Sequence, residues 1–514
     1  MQEILKQANE ILGGPLLIVL LVGTGLFLTI RLRFVQFRYL LYAARIAIGR
    51  ADREEDPHDY GEEFFSKEKK DAPEKEGDIS YWQALTVALS ATIGTGNIVG
   101  VAAAILTGGP GALFWMWVTA LVGMATKYSE ALLAVKYREK TELGYAGGPM
   151  YYIEKGLKKP WLGKIFAFLT LVAALGIGNM FQINAAAGAL STHSIGISPF
   201  ATSLGVALIA GLVILGGIQR IGKAASFLVP FMAGFYFFGA CYILIRNIKI
   251  IPLVFAEIFH YAFEPLPAIS GTIAGLLLTT IRSGVSRGLF SNEAGLGSAP
   301  IAAAAAKTDY PVKQGLVSML GPFIDTLIIC TLTGLTILTG LYASGDEVIR
   351  ILGSTAKLGH LSGSMITAAS SKVHGVSGGE FWNAFFTHFG KDAIQLQNGL
   401  TAAVFQHNMG IWGHRLVSLG LFFFAVSTII GWYYYSDRAL VYLGFKKWIP
   451  SYQLVYVLMI ILGGMANIQL IWDFSAVANV LMAFPNLIAL LWLSRRIRVE
   501  TKSFFHKHPH RYDN

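Results

Sequence analysis

This 514-residue sequence predicts an all-α polytopic membrane protein of about eleven transmembrane helices, and three observations predict it. The chain is 54% hydrophobic and only 14% charged, with a mean hydropathy of +0.54, whereas soluble domains carry about 25% charged residues. Apolar runs long enough to cross a bilayer recur along it, and in hydrocarbon the helix satisfies its own backbone groups. Lys and Arg collect in alternate loops. The net charge of +10 therefore reads as the positive-inside bias of a membrane protein, and no nucleic-acid partner is implied.

The first span, about 14–30, lacks a basic start and a small-residue cleavage site, and Arg31 and Arg33 follow it. It reads as a retained helix rather than a signal peptide, and residues 1–50 form an N-terminal helix with a basic cytoplasmic segment. Residues 51–79 are dense in Asp, Glu and Lys and read as a solvated cytoplasmic loop. Spans two to six fall at about 81–105, 110–135, 163–190, 198–218 and 224–246, within a unit of 80–246. Spans seven to eleven fall at about 266–306, 313–342, 411–436, 452–470 and 473–494, within a unit of 247–495. The seventh is too long to cross once and must bend or break. Residues 343–410 read as a long external loop of mixed charge, and 496–514 as a basic tail whose HKHPH, residues 506–510, reads as juxtamembrane charge rather than a metal site.

Basic clusters follow spans one, three, five, nine and eleven, including Arg31 to Arg50, Lys136 to Lys159 and Arg495 to Arg498. If eleven spans alternate, all of these lie on one side. The N-terminus is then outside and the C-terminus cytoplasmic. Both cysteines, Cys241 and Cys330, lie inside apolar spans, so a disulfide framework is not indicated.

Span two contains ATIGTGNIVG, residues 91–100. Gly94, Gly96 and Gly100 weaken a helix in its middle, where uncapped polar groups are costly. Gly96 and Gly100 form a G-x-x-x-G that allows close helix packing. The Gly94-x-Gly96-x-x-x-Gly100 spacing is one residue too long for a dinucleotide fingerprint. The remaining reading is a discontinuous helix, whose freed N–H groups meet an anion and whose freed carbonyls meet a cation. That reading predicts a second break five spans later. IRSGVSRGLFSNEAGLGSAP, residues 281–300, supplies it, with breaks expected at about 94–97 and 288–297. Two five-span halves, each starting with a broken helix, make a 5+5 inverted repeat plus one extra N-terminal helix. GVSRG, residues 284–288, matches a nucleophile elbow, but that motif needs a strand-to-helix turn on a sheet. There is no H-E-x-x-H, and no enzyme is expected.

Ionisable groups within spans are functional candidates, and Glu293 and Asp325 lead. Asp325 can instead serve structurally by bonding Thr326. Lys127 and Glu130, near the end of span three, read as a local ion pair or a snorkelling lysine. Asn179 and Gln182 share a face of span four and either bind a ligand or link helices. Ser427 and Thr428, one turn before Trp432, offer oxygen ligands for a small cation, or bond back to the preceding turn.

Several long motifs in order carry a family resemblance: ATIGTGNIVGVA, GGPGALFWMWVTALVGMATKYSEALLAVKYRE (108–139), AGGPMYYIEKGL (146–157), GIGNMFQ (176–182), SNEAGLGSAPIAAAAA (291–306), MLGPFIDT (319–326) and FAVSTIIGWYYY (424–435). Over about 78–342 and 396–495 the chain resembles the alanine or glycine:cation symporter family. The resemblance implies a leucine-transporter-type fold in the inner membrane of a prokaryote. It implies sodium-coupled uptake of alanine or glycine, with proton coupling in some members, and no cofactor beyond the co-transported ion. A transporter-like amino-acid sensor is the other alternative. Carried over residue by residue, Gly94, Thr95 and Gly96 hold the substrate carboxylate, and Asn179, Gln182, Phe290, Thr428 and Trp432 line the pocket. Sodium is met by carbonyls near Ser90 and Ile93 and by the Ser427 and Thr428 hydroxyls, while Asn97 matches a second sodium ligand of the wider fold. The chain departs from the family in its long 51–79 and 343–395 segments, and in Ser436-Asp437 where Gly-Glu is common.

Overall fold

The computed structural model describes residues 15–50, 76–192, 195–264, 273–355, 393–466 and 468–507. Most of the 51–79 loop, residues 356–392 and the tail from 508 lie outside these.

The chain is almost entirely helical. A first helix α1 (Pro15–Arg31) ends in a hook formed by the short helices α2 (Val35–Arg38) and α3 (Leu40–Ala47). Then come α4 (Tyr81–Thr92), α5 (Val99–Gly108) and α6 (Ala112–Lys136), a hairpin of β1 (Glu139–Thr141) and β2 (Gly144–Ala146), and α7 (Pro149–Leu157). α8 (Pro160–Leu175) continues through a π-helical turn, Gly176–Met180, into α9 (Phe181–Leu190). α10 (Pro199–Ile214), α11 (Gly217–Arg246), α12 (Ile251–Phe263), α13 (Ile273–Asn292) and α14 (Pro300–Ala303) follow. α15 (Pro311–Pro322) passes through a second π turn, Phe323–Cys330, into α16 (Thr331–Thr355). The last elements are α17 (Ala393–Met409), α18 (Ile411–Tyr442), α19 (Ile449–Met465) and α20 (Ile468–Lys507).

Among the described residues seven helices are long and apolar enough to cross a membrane, or eight if the bent pair in span two counts as one. α1 and α10 are shorter apolar helices, and α13 is diluted by Arg282, Ser283 and Arg287. Burial grades the helices. The crossing segment of α6 is 83% buried, whereas that around α19 is 22% buried. α6 therefore sits at the centre and α19 presents Leu454, Leu458 and Leu462 outward.

Sequence chemistry sets the element ends. Ser80 caps α4 reciprocally with Gln83: the Gln83 N–H donates to Ser80 Oγ at 3.2 Å, and the Ser80 N–H donates to Gln83 Oε1 at 3.1 Å. Pro322 cannot donate a helical bond, and the widened turn begins at the next residue.

Two expectations need correction. The second break does not begin at 288. α13 stays helical to Asn292, and the interruption occupies 293–299, because Glu293, Gly295 and Gly297 take positive φ of 54°, 91° and 82°. Gly284 and Gly288 instead serve close packing, since a side chain at either would strike α6 at Ala112 or Thr119. The 343–410 segment is not simply a loop. α16 runs to Thr355 with a kink at Ser344, and α17 packs on α5, α16 and α18.

Candidate functional site

The first break bends span two by 62°. In an unbroken helix the N–H groups of Gly94, Thr95 and Asn97 would bond the carbonyls of Ser90, Ala91 and Ile93. Here the Gly94 N–H donates to Asn97 Oδ1 at 2.9 Å, the Thr95 N–H to Gln182 Oε1 at 3.1 Å, and the Asn97 N–H to Gly94 O at 3.2 Å. Those three carbonyls thus lose their helical donors.

Gln182 holds the break from span four. Its Oε1 also accepts from Thr95 Oγ1 at 2.9 Å, and its amide donates to Ile177 O at 3.0 Å. Thr428 arrives from α18. A Cβ placed on Gly94 would stand 2.6 Å from Thr428 Oγ1 and 2.9 Å from Gln182 Oε1, so glycine is what lets the three groups converge. Thr428 Oγ1 is buried with no hydrogen-bond partner. Ser427 bonds back to Phe424 O at 2.9 Å, and Ser90 to Val87 O at 2.8 Å. Close by, a Cβ on Gly431 would meet Ser90 Oγ at 2.7 Å, so α18 lies directly on α4.

The aromatic walls belong to the same locality. Phe290 faces Gly96, where a Cβ would stand 3.2 Å from its ring, and Phe290 packs edge-on against Phe181 at 5.3 Å between centroids. Trp432 is fully buried. Its indole N–H donates to Glu293 Oε1 at 2.9 Å, and Glu293 Oε2 accepts from Ser298 Oγ at 2.5 Å. Gly178 in the first π turn leaves room for Trp432, because a side chain there would strike the indole. π turns occur often at functional sites, and this one also carries Asn179. Asn179 points elsewhere, donating to Tyr456 O at 2.8 Å. Asn179 and Gln182 thus diverge, one linking helices and the other reaching the break.

Asp325 lies in the second π turn and ties both breaks together. Its Oδ1 accepts from Asn97 Nδ2 at 2.6 Å, and its Oδ2 from Ser291 at 2.8 Å and Thr326 at 2.7 Å. Asn97 also approaches Cys330 Sγ at 3.4 Å, and both cysteines are free thiols.

Sequence reasoning missed a second polar cluster. The expected Lys127–Glu130 pair does not form. Lys127 Nζ is buried without a hydrogen-bond partner, in a narrow cavity beside Thr92, Pro300 and Ser318. Glu130 instead accepts from Asn486 Nδ2 at 2.6 Å and from the Gly297 N–H at 3.1 Å. Asn486 donates to Gly295 O at 2.9 Å and accepts from the Tyr152 hydroxyl. Glu130 and Asn486 are far apart in sequence, and only the mid-span position of Asn486 marked it.

On the side reached by β1 and β2, a belt of bonds closes the bundle. Arg138 donates to Ala304 O at 3.0 Å, Ala306 O at 2.8 Å and Glu76 O at 2.7 Å. Asp78 accepts from the Tyr145 N–H at 2.7 Å, and Arg438 donates to Leu143 O at 3.0 Å. At the far end of span two, Thr107 and Ser283 hydroxyls lie 2.5 Å apart, and Thr280 donates to Gly108 O at 2.9 Å.

A residue profile described as "Sodium:alanine symporter family" matches residues 1–514. The chain is 44% identical to "Sodium/alanine symporter AgcS" of Methanococcus maripaludis over 509 residues, covering 98% of this chain and 97% of that protein. It is 35% identical to "Amino-acid carrier protein AlsT" of Bacillus subtilis over 479 residues, covering 93% and 87%. Among solved structures, MhsT in complex with L-phenylalanine matches at 15% identity and a TM-score of 0.39, over 83% of this chain and 100% of that one. So distant a likeness adds nothing to the arrangement above. The chain belongs to the sodium:alanine symporter family, and these relatives carry the names of transporters rather than enzymes.

Proposed function

We propose that this member of the sodium:alanine symporter family is a secondary active transporter that imports alanine or glycine, coupled to sodium, by alternating access. The observation that carries the reading is the meeting of Gly94, Thr95, Gln182 and Thr428 at one buried point, with the Thr428 hydroxyl unpartnered among protein atoms. The Gly94, Thr95 and Gly96 backbone receives the substrate carboxylate, and Gln182 yields its acceptor position as the carboxylate arrives. Trp432 and Phe290 limit the side chain by volume. The carbonyls of Ser90 and Ile93 with the oxygens of Ser427 and Thr428 are hard ligands of the kind sodium prefers, and Asn97 beside Asp325 extends the oxygen-rich surface. On this reading the cation is cargo met by neutral oxygens.

The reading keeps the eleven-span, 5+5 inverted arrangement, with halves at 80–246 and 247–495 and a cytoplasmic C-terminus. The two halves rock about the fixed site, and substrate and sodium favour each other's binding reciprocally. Proton coupling is the second reading, favoured by the burial of Glu293 at the second break and of Asp325 beside Asn97 of the first.

The test is uptake of labelled L-alanine into proteoliposomes at equal internal and external pH, with an inward sodium gradient or with potassium in its place. Concentrative uptake only with sodium is expected. Uptake without sodium that follows an imposed pH gradient would reassign coupling to Glu293 or Asp325. Alanine binding without any uptake would overturn transport in favour of sensing.

A further inference from the structure

The geometry points to a binding site for an anionic phospholipid headgroup between the hook after α1 and the end of α20. A pocket of about 310 Å³ opens there, and Arg31, Arg33, Arg38, Arg498, Lys502 and His506 line it. No Asp or Glu among the described residues lines it. The nearest acid on α20, Glu500, is taken by Lys136 at 2.6 Å and by Arg496 at 3.4 Å. Arg31 Nε is buried with no hydrogen-bond partner. Gathering so many like charges costs repulsion, which a phosphate diester would relieve.

The site is built rather than incidental. Arg33 and Phe34 both take left-handed backbone, φ 56° and 58°, which L side chains adopt only at a cost. Together they end α1, with the Phe34 N–H donating back to Thr29 O at 2.8 Å, before α2 and α3 begin. Gln36 pins the hook to the bundle, donating to Thr29 Oγ1 at 3.0 Å and Leu121 O at 3.2 Å. Tyr39 stacks on Phe505 at 4.0 Å between centroids, joining the hook to α20. Apolar groups beside the pocket face outward: Ile30, Phe34, Phe37 and Leu41, the last 78% exposed. A cationic hollow bordered by outward apolar side chains at the end of a membrane helix suits a headgroup whose acyl chains lie along those side chains. A free phosphate would use the charges and leave the apolar border unused.

The test uses the full-length protein in nanodiscs, with native mass spectrometry to count retained lipid. Phosphatidylglycerol should be retained over phosphatidylcholine. Each basic group near the surface is worth roughly fivefold in lipid affinity. Arg33→Gln/Arg38→Gln/Lys502→Gln should therefore weaken retention on the order of 100-fold, while Arg33→Lys/Arg38→Lys/Lys502→Arg should keep the preference. Hydrogen exchange of the unmodified protein provides a readout that no variant's folding can spoil: phosphatidylglycerol, and not phosphatidylcholine, should protect residues 31–39 and 498–506. Equal retention of the two lipids, no protection, or unchanged retention in the neutral variant would each overturn the site. Protection by inorganic phosphate alone, equal to that by the lipid, would overturn the headgroup assignment.

Discussion

At Gly94 a single hydrogen atom is all that the convergence of Thr428 and Gln182 leaves room for. Gly94→Ala would set a methyl group 2.6 Å from Thr428 Oγ1 and 2.9 Å from Gln182 Oε1, too close for either to remain. Uptake should fall to background while the detergent-extracted protein keeps its elution profile. Normal uptake would mean that Thr428 and Gln182 do not bound the pocket. Thr428→Val replaces the hydroxyl with a methyl of similar size. Because that oxygen bonds to no protein atom, the thermal midpoint should move little, while half-saturating sodium should rise at least tenfold. An unchanged sodium dependence would remove Thr428 from the cation site. Gly94, Thr95, Gln182 and Thr428 were legible in the sequence because glycine and polar residues in an apolar run are conspicuous. The partners of Glu130 were not, because they are fixed by which helices pack together, and local spacing does not carry that information. Asn179 shows the same limit: it lies three residues from Gln182, yet the π turn sends the two to different neighbours.

At the scale of elements, the interruptions matter more than the helices. The existence of both breaks was readable from Gly94-Thr95-Gly96 and from Gly295 and Gly297. The start of the second was not, since Gly284 and Gly288 looked alike in sequence and turned out to serve packing on α6. The π turns left no signal except Pro322, and α17 was hidden in a segment whose mixed composition resembles a loop. The element that binds the two breaks together is the π turn carrying Asp325, whose carboxylate accepts from Asn97, Ser291 and Thr326. Asp325→Asn turns one acceptor into a donor among donors. The loss should be about 1–3 kcal/mol of stability, seen as a lower thermal midpoint, with uptake reduced at all sodium concentrations. An unchanged midpoint would mean that the three bonds are replaceable.

For the whole molecule, the belt around Arg138 is the part that the proposed alternating access would have to open. Arg138 joins the segment before α4 to the segment after α14 through three carbonyl bonds. Both segments run into a broken helix, so the belt ties the two broken spans together on that side. Arg138→Ala should raise the accessibility of a cysteine introduced at Ala88 to a membrane-impermeant thiol reagent applied from the β1–β2 side, and should lower concentrative uptake. Unaltered labelling would show that the belt does not hold that face shut. Apolar runs marked where the long helices lie, but not that α6 sits at the centre of the bundle and α19 at its edge. The belt was not legible either, because the three acceptors that Arg138 holds are backbone carbonyls, which every sequence has.

On the proposed role, the bond from Thr95 to Gln182 gives the protein a resident competitor for its own cargo. An arriving carboxylate exchanges one acceptor for another, and only the difference between them appears as affinity. Measured binding will therefore be weaker than the contacts alone suggest. The reverse exchange helps unloading, because the glutamine restores the donors' partner as the cargo leaves. On that reading the site trades grip for turnover, and it reorients empty with fewer bare polar groups.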